Sequence, residues 1–265
     1  MKNRIDQLFE KKEKNILSVF FTAGSSQSND VLNIIECLEE SGADMVEIGI
    51  PFSDPLADGP VIQQSSNSAL KNGMTLKKLF SDVKHLRPKS RMPVLLMGYL
   101  NSLIQFGIEE FYKKCCESGI DGIIIPDLPP AEYLSQHNKY AKQYNIHVVF
   151  LITPKTSNTR ILEIDKVSTG FIYLTSTNAT TGTTKQFETG IDEKISEIKD
   201  LGLQNPILMG FGIKGNKEFI KACSLVNGAI VGSGFVSMLK DSTDLKNDIS
   251  NFVSSIKQPV KEFQS

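Results

Sequence analysis

Short apolar runs alternate with longer amphipathic ones along the whole chain. The candidate strands are Leu17–Thr22, Met45–Pro51, Pro93–Met97, Gly122–Pro126, His147–Ile152, Gly170–Thr175, Pro206–Met209 and Gly228–Val231. They are rich in Val, Ile and Phe and end near Gly, Pro, Ser or Asp, the pattern of buried parallel strands. Helical patterns lie between them. Asn29–Ser41 places Val31, Ile34, Ile35 and Leu38 on one face. Glu109–Glu117 runs into Ser118-Gly119, a helix stop signal. Ala131–Tyr144 and Lys217–Val226 read the same way, Arg4–Lys11 predicts an extra N-terminal helix at the barrel bottom, and turn signals at Asp241–Asp244 precede a closing helix.

Eight strands in 265 residues leave about 33 residues for each strand–helix unit, the size that a parallel crossover needs. Right-handed crossovers wind such units into one (β/α)8 barrel, so residues 1–265 are expected to form a single α/β barrel domain. The competing architecture, an open doubly wound sheet, calls for a glycine-rich turn after the first strand. Here the glycine-rich strand ends come late in the chain.

Composition narrows the class. Hydrophobic residues at 40% and charged residues at 22% exclude wholesale disorder. A net charge of −1 gives no field that favours nucleic acid or an acidic membrane surface. Cys37, Cys115, Cys116 and Cys223 have no Cys-x-x-Cys spacing and read as free, buried thiols. His85, His137 and His147 lack metal-ligand spacing and read as structural. The N-terminus has no apolar stretch of signal-peptide length, and no run reaches the ~18 residues of a membrane span. A cytoplasmic protein is expected.

Two features carry chemistry. Within Met45–Ile50, alternation separates Val46, Ile48 and Ile50 from Met45, Glu47 and Gly49. If the β-branched face meets the helices, Glu47 points into the barrel near the rim where such folds do chemistry, and Gly49 leaves room for a ligand. Desolvation there raises a carboxyl pKa and makes its neutral acid available near neutral pH. A Glu held by an Arg or Lys partner is the plainer alternative. The strand runs into Pro51–Pro60, a stiff loop holding Asp54 and Asp58; turn chemistry alone accounts for either. The second feature is glycine. Gly210-Phe211-Gly212-Ile213 ends strand seven, Gly232-Ser233-Gly234 follows strand eight, and Thr180-Thr181-Gly182 follows strand six. Amides bared by glycine beside a helix N-terminus hold a phosphate without a lysine cluster. Phe20, Leu96, Tyr99, Tyr173 and Phe211, near other strand ends, form a candidate apolar slot; ordinary core is the alternative.

The fourteen residues Glu47–Pro60 also form a signature: the chain resembles the alpha subunits of tryptophan synthase, the indole-3-glycerol phosphate lyases. Phe21-Thr22-Ala23-Gly24, Leu96-Met97-Gly98-Tyr99, Pro126-Asp127-Leu128-Pro129, Gly210-Phe211-Gly212-Ile213 and Gly232-Ser233 follow in the family's order. The resemblance implies a barrel that splits indole-3-glycerol phosphate into indole and glyceraldehyde 3-phosphate without a metal or organic cofactor. It gives Glu47 and Asp58 the catalytic roles, and phosphate contacts to Gly182, Gly212, Gly232 and Ser233. It makes Thr181 the threonine of a loop closing over Asp58, and sets Phe20, Tyr173 and Phe211 around the indole and glycerol. It further implies a beta-chain partner carrying pyridoxal phosphate, in an alpha2-beta2 heterotetramer. One departure is visible. Many members carry Ser-Arg-x-Gly-Val-Thr-Gly after strand six, where this chain reads Ser176-Thr177-Asn178-Ala179-Thr180-Thr181-Gly182, without the arginine. Three alternatives stay open: a stand-alone lyase releasing free indole, another phosphosugar enzyme on the same barrel, and a non-catalytic barrel that activates a partner.

Overall fold

Eight parallel strands pair in chain order and the last pairs with the first, closing a barrel. They are β1 (Ile16–Thr22), β2 (Met45–Gly49), β3 (Val94–Met97), β4 (Gly122–Ile124), β5 (His147–Ile152), β6 (Ile172–Thr175), β7 (Ile207–Gly210) and β8 (Gly228–Val231). Each lies within two or three residues of its predicted span. In this computed structural model the described residues are 2–25, 30–55, 58–175, 187–210, 212, 213 and 215–258, with backbone only for 187–191. The order β1 to β8 with helices between excludes the open sheet.

Both faces of the strands are covered. Every residue of β1 to β4 is buried, so each strand reads as a continuous apolar run with few interruptions. The helix α2 (Val31–Glu40) buries Val31, Ile34, Ile35 and Leu38, the predicted face, and Asp30 caps it by accepting from the Leu32 N–H at 2.9 Å. The helix α3 (Pro60–Lys71) follows the loop after β2, with Gly59 as its N-cap and Pro60 in its first turn. The predicted helix Ala131–Tyr144 is instead interrupted by a π turn at Tyr133–His137. Tyr133, His137 and Ala141 are all buried. A spacing of four, repeated, suits a widened turn better than the 3.6 of an α-helix.

The N-terminal helix α1 (Arg4–Lys11) seals the end of the barrel away from the strand C-termini. Ile5 is fully buried, and the Asn3 amide donates to the Asp121 and Asn145 carbonyls. Asp121, at the entry to β4, accepts from Arg4, Arg87 and the Val94 N–H. A carboxylate so buried is stable only with its charge met on several sides. These bonds fix the closed end and leave the other for a ligand. Three of the cysteines are buried as expected, but Cys116 is exposed, on the outer side of the helix Ile108–Ser118. Among the described residues no helix is long and apolar enough to cross a membrane.

Candidate active site

Strand register determines which side chains meet inside the barrel. Phe20 pairs with Glu47, Glu47 with Leu95, and Gly49 with Met97. Farther round, Tyr173 pairs with Leu208, and Ile230 pairs with Ser18. Residues in register share a face, so Ser18, Phe20, Glu47, Met97, Tyr173 and Ile230 all point inward.

Glu47 is fully buried, and burial pushes its carboxyl pKa up to about 8 against a partial offset from the Ser18 hydroxyl. That hydroxyl donates to Oε1 at 2.7 Å, while Oε2 is buried with no hydrogen-bond partner among the described residues. No Lys, Arg or His among the described residues pairs with it. The carboxyl therefore stays largely protonated at neutral pH and is a ready acid. The space beside Gly49 is not open to a ligand as expected. A Cβ there would stand 2.6 Å from Cζ of Phe20, so the glycine admits the Phe20 ring instead.

Asp58 reaches the site from the loop before α3. The Tyr99 hydroxyl donates to its Oδ2 at 3.1 Å, and its backbone carbonyl accepts from the Gln63 side chain at 2.8 Å. Phe52 stacks on Tyr99 with centroids 5.0 Å apart, which holds that hydroxyl in place. Burial raises the Asp58 pKa and the Tyr99 bond lowers it. Both carboxyls are thus pushed the same way. They differ in support: Asp58 is partly exposed and lies beside a helix N-terminus that favours an anion, whereas Glu47 has neither.

Above Glu47 a cavity of ≈ 140 Å³ opens at the strand C-termini. It is lined by Phe20, Met97, Tyr173 and Ile230, by Asp58, and by Gly212, Gly232, Ser233 and Gly234. Gly232 is the N-cap of the helix Ser233–Asp241, whose first amides have no partner within the helix. Gly212 has φ +80°, a left-handed conformation that suits glycine and turns the chain sharply beyond β7. An apolar slot between a carboxylate and a cradle of amides suits a flat aromatic group with an anionic tail.

Comparison with known proteins agrees with this architecture. The sequence profile of the family described as "Tryptophan synthase alpha chain" matches residues 6–264. The chain belongs to the tryptophan synthase alpha chain family. It is 47% identical to the tryptophan synthase alpha chain of Flavobacterium psychrophilum, over 96% of this chain and 99% of that one. It is 45% identical to that of Bacteroides thetaiotaomicron, over 96% and 100%. Among solved structures, tryptophan synthase subunit alpha from Legionella pneumophila superposes with a TM-score of 0.86 at 30% identity, covering 97% of both chains. A chain of the tryptophan synthase complex from Pyrococcus furiosus gives 0.82 at 31%, covering 92% of this chain and 98% of that one. As a tryptophan synthase alpha chain it is an enzyme subunit of tryptophan biosynthesis.

Of the site residues expected for this alpha chain, the structure brings Phe20, Asp58, Tyr173, Gly212, Gly232 and Ser233 to the cavity and Tyr99 to Asp58. Glu47 does not itself line the cavity; it lies in register with Phe20, which does. Thr181, Gly182 and Phe211 lie outside the described residues, as does the loop Ser176–Gly182 that departs from the family's motif. Leu96 is misplaced in the expectation. It pairs with Ile48 and so faces the helices, while Met97, one residue on, enters the cavity. Ile62 and Ile213 are further wall residues that sequence reasoning did not select. Ile213 follows directly on the Gly-Phe-Gly run, and Ile62 lies four residues beyond Asp58 in the first turn of α3, so position relative to a motif was the available signal.

Gly210 decides how the Tyr173 ring lies. A Cβ at Gly210 would stand 2.1 Å from the Tyr173 hydroxyl oxygen. Gly210→Ala is therefore expected to displace Tyr173 and lower the enzyme's kcat/KM by about tenfold to a hundredfold, as small misplacements at reacting centres do. Steady-state kinetics alongside thermal unfolding checks this; unchanged kinetics would mean that the ring's place is immaterial.

Proposed function

We propose that the chain cleaves indole-3-glycerol phosphate into indole and glyceraldehyde 3-phosphate by a retro-aldol step that its own side chains carry out. The observation that supports this most is a fully buried Glu47, pushed by burial toward its neutral form, in register with Phe20 of a slot that also holds the amides of Gly232–Gly234. In this reading those amides and Gly212 seat the phosphate, with Gly182 as a further contact. Phe20, Tyr173 and Met97 flank the ring and glycerol, and the family resemblance adds Phe211 and Thr181 to these contacts.

The bond between indole C3 and the glycerol carbon breaks only if C3 gains a proton and the adjacent hydroxyl loses one. Glu47 delivers the proton to C3. Positive charge then builds on the ring, and ionised Asp58, accepting the N1–H hydrogen bond, stabilises it. A carboxyl that gives one proton to C3 and takes the hydroxyl proton in return closes the count, and Glu47 fits that double use. No metal or organic cofactor enters this scheme.

Released indole is apolar and escapes readily, which favours direct delivery to a beta chain whose pyridoxal phosphate joins it to serine, in an alpha2-beta2 assembly. The deciding assay follows indole release from indole-3-glycerol phosphate by the purified chain, with and without a beta chain. The expected result is slow release alone and fast release in the complex. Fast release alone would indicate a stand-alone lyase. No release in a complex that does form would leave a non-catalytic activator.

A further inference from the structure

Ser18 is the polar interruption in the middle of β1, in the run Ile16-Leu17-Ser18-Val19-Phe20-Phe21, and it is fully buried. A hydroxyl in a dry core costs stability unless it is hydrogen-bonded, and this one donates to Glu47 Oε1 at 2.7 Å. The register explains the contact. Ser18 pairs with Met45, two residues before Glu47, so the glutamate side chain leans back along the barrel to meet it. Ser18 does not line the cavity.

We propose that Ser18 is a positioning residue for the acid of the reaction: its hydroxyl holds Glu47 Oε1 as the hydrogen-bond acceptor and so leaves the transferable proton on Oε2. The inference rests on Glu47 being that acid. A neutral carboxyl has one carbonyl oxygen and one hydroxyl oxygen, and the carbonyl oxygen is the better acceptor. A fixed donor at Oε1 therefore selects Oε2 as the proton-bearing oxygen, and Oε2 is the oxygen left without a partner among the described residues. The same bond persists when Glu47 loses its proton, and it is stronger to the anion. Ser18 thus opposes burial, keeping the carboxyl acidic enough to give up its proton and then hold the negative charge. Of the other titratable groups, Tyr173 on β6 is near enough for charge coupling to Glu47.

The test replaces Ser18 by Ala and, separately, by Cys, which keeps the volume but donates weakly. The full chain is assayed for indole release across pH, with Glu47→Gln in the same series. Both Ser18 variants are expected to lose about tenfold in kcat, with KM changed less than about twofold, as for other residues that orient a reacting group. The alkaline limb of the kcat profile is expected to move up by about one pH unit, because the anion has lost its donor. Wild-type kcat and an unmoved limb in the folded variants overturn the proposal. So does a lower kcat with an unmoved limb, since packing damage alone gives that. If Glu47→Gln keeps full activity, the reading of Glu47 fails, and Ser18 with it. An inactive Glu47→Gln beside wild-type Ser18 variants removes only the role of Ser18.

Discussion

Glu47→Gln is expected to lower kcat for indole release by about a thousandfold or more, within the range seen when a general acid is removed, while substrate still binds. Glutamine preserves the shape and can still accept from Ser18, so the loss isolates the proton. Equilibrium binding of the uncleaved substrate separates this from a damaged site. Full turnover in the variant would remove Glu47 from the mechanism. The same substitution has a signature in stability. The carboxyl titrates at about 8 in the fold against an ordinary 4.5. Between those values the folded chain holds the extra proton, so the contribution of Glu47 is complete below pH 4.5 and is lost as pH rises through 8. Glutamine has no proton to lose. The stability of Glu47→Gln relative to the natural chain should therefore grow from pH 5 to pH 9, by on the order of a few kcal/mol. Urea unfolding at both pH values measures it, and parallel behaviour of the two proteins would show that the fold does not raise the Glu47 pKa.

Asp58→Asn should cost about a hundredfold to a thousandfold in kcat, the usual loss when one charge-stabilising group is taken from a transition state. The amide keeps a partner for Tyr99 but no longer offers an anion to the indole N–H. The Tyr99 bond, at 3.1 Å, and the Phe52 stack position the carboxylate without themselves supplying charge. Tyr99→Phe is accordingly expected to fall well short of the Asp58→Asn loss. The two variants measured side by side distinguish charge from placement. Equal losses in both would make placement, not charge, the contribution of Asp58.

Sequence reading succeeded where the physics is local. Glu47 stood out because an ionisable group inside Met45-Val46-Glu47-Ile48 is costly in a buried strand without a task. Gly212 and Gly232 drew notice because glycine-rich runs end two successive strands, and both line the cavity. Leu96 went astray because both faces of β3 are buried and apolar: Leu95, Leu96 and Met97 are chemically alike, so alternation has nothing to separate. The use of Gly49 was misjudged for a related reason. A glycine says that something comes close, and here it is the chain's own Phe20, not a ligand. Ser18 was passed over because a lone serine in an apolar run has no meaning until its partner, 29 residues away, is known.

The order of strands and helices, and with it the parallel barrel and the end that bears the candidate site, was determined by the sequence alone. Periodicity and capping act over a few residues and are written in the chain one turn at a time. Which buried atom meets which was decided by the tertiary structure: Ser18 against Glu47, Tyr99 against Asp58, Tyr173 across Gly210. Those contacts depend on the stagger between strands, and when every strand is apolar on both faces, many staggers satisfy the same pattern of residues. Closure of the barrel selects one of them, and with it the environment that turns an ordinary glutamate into an acid near neutral pH.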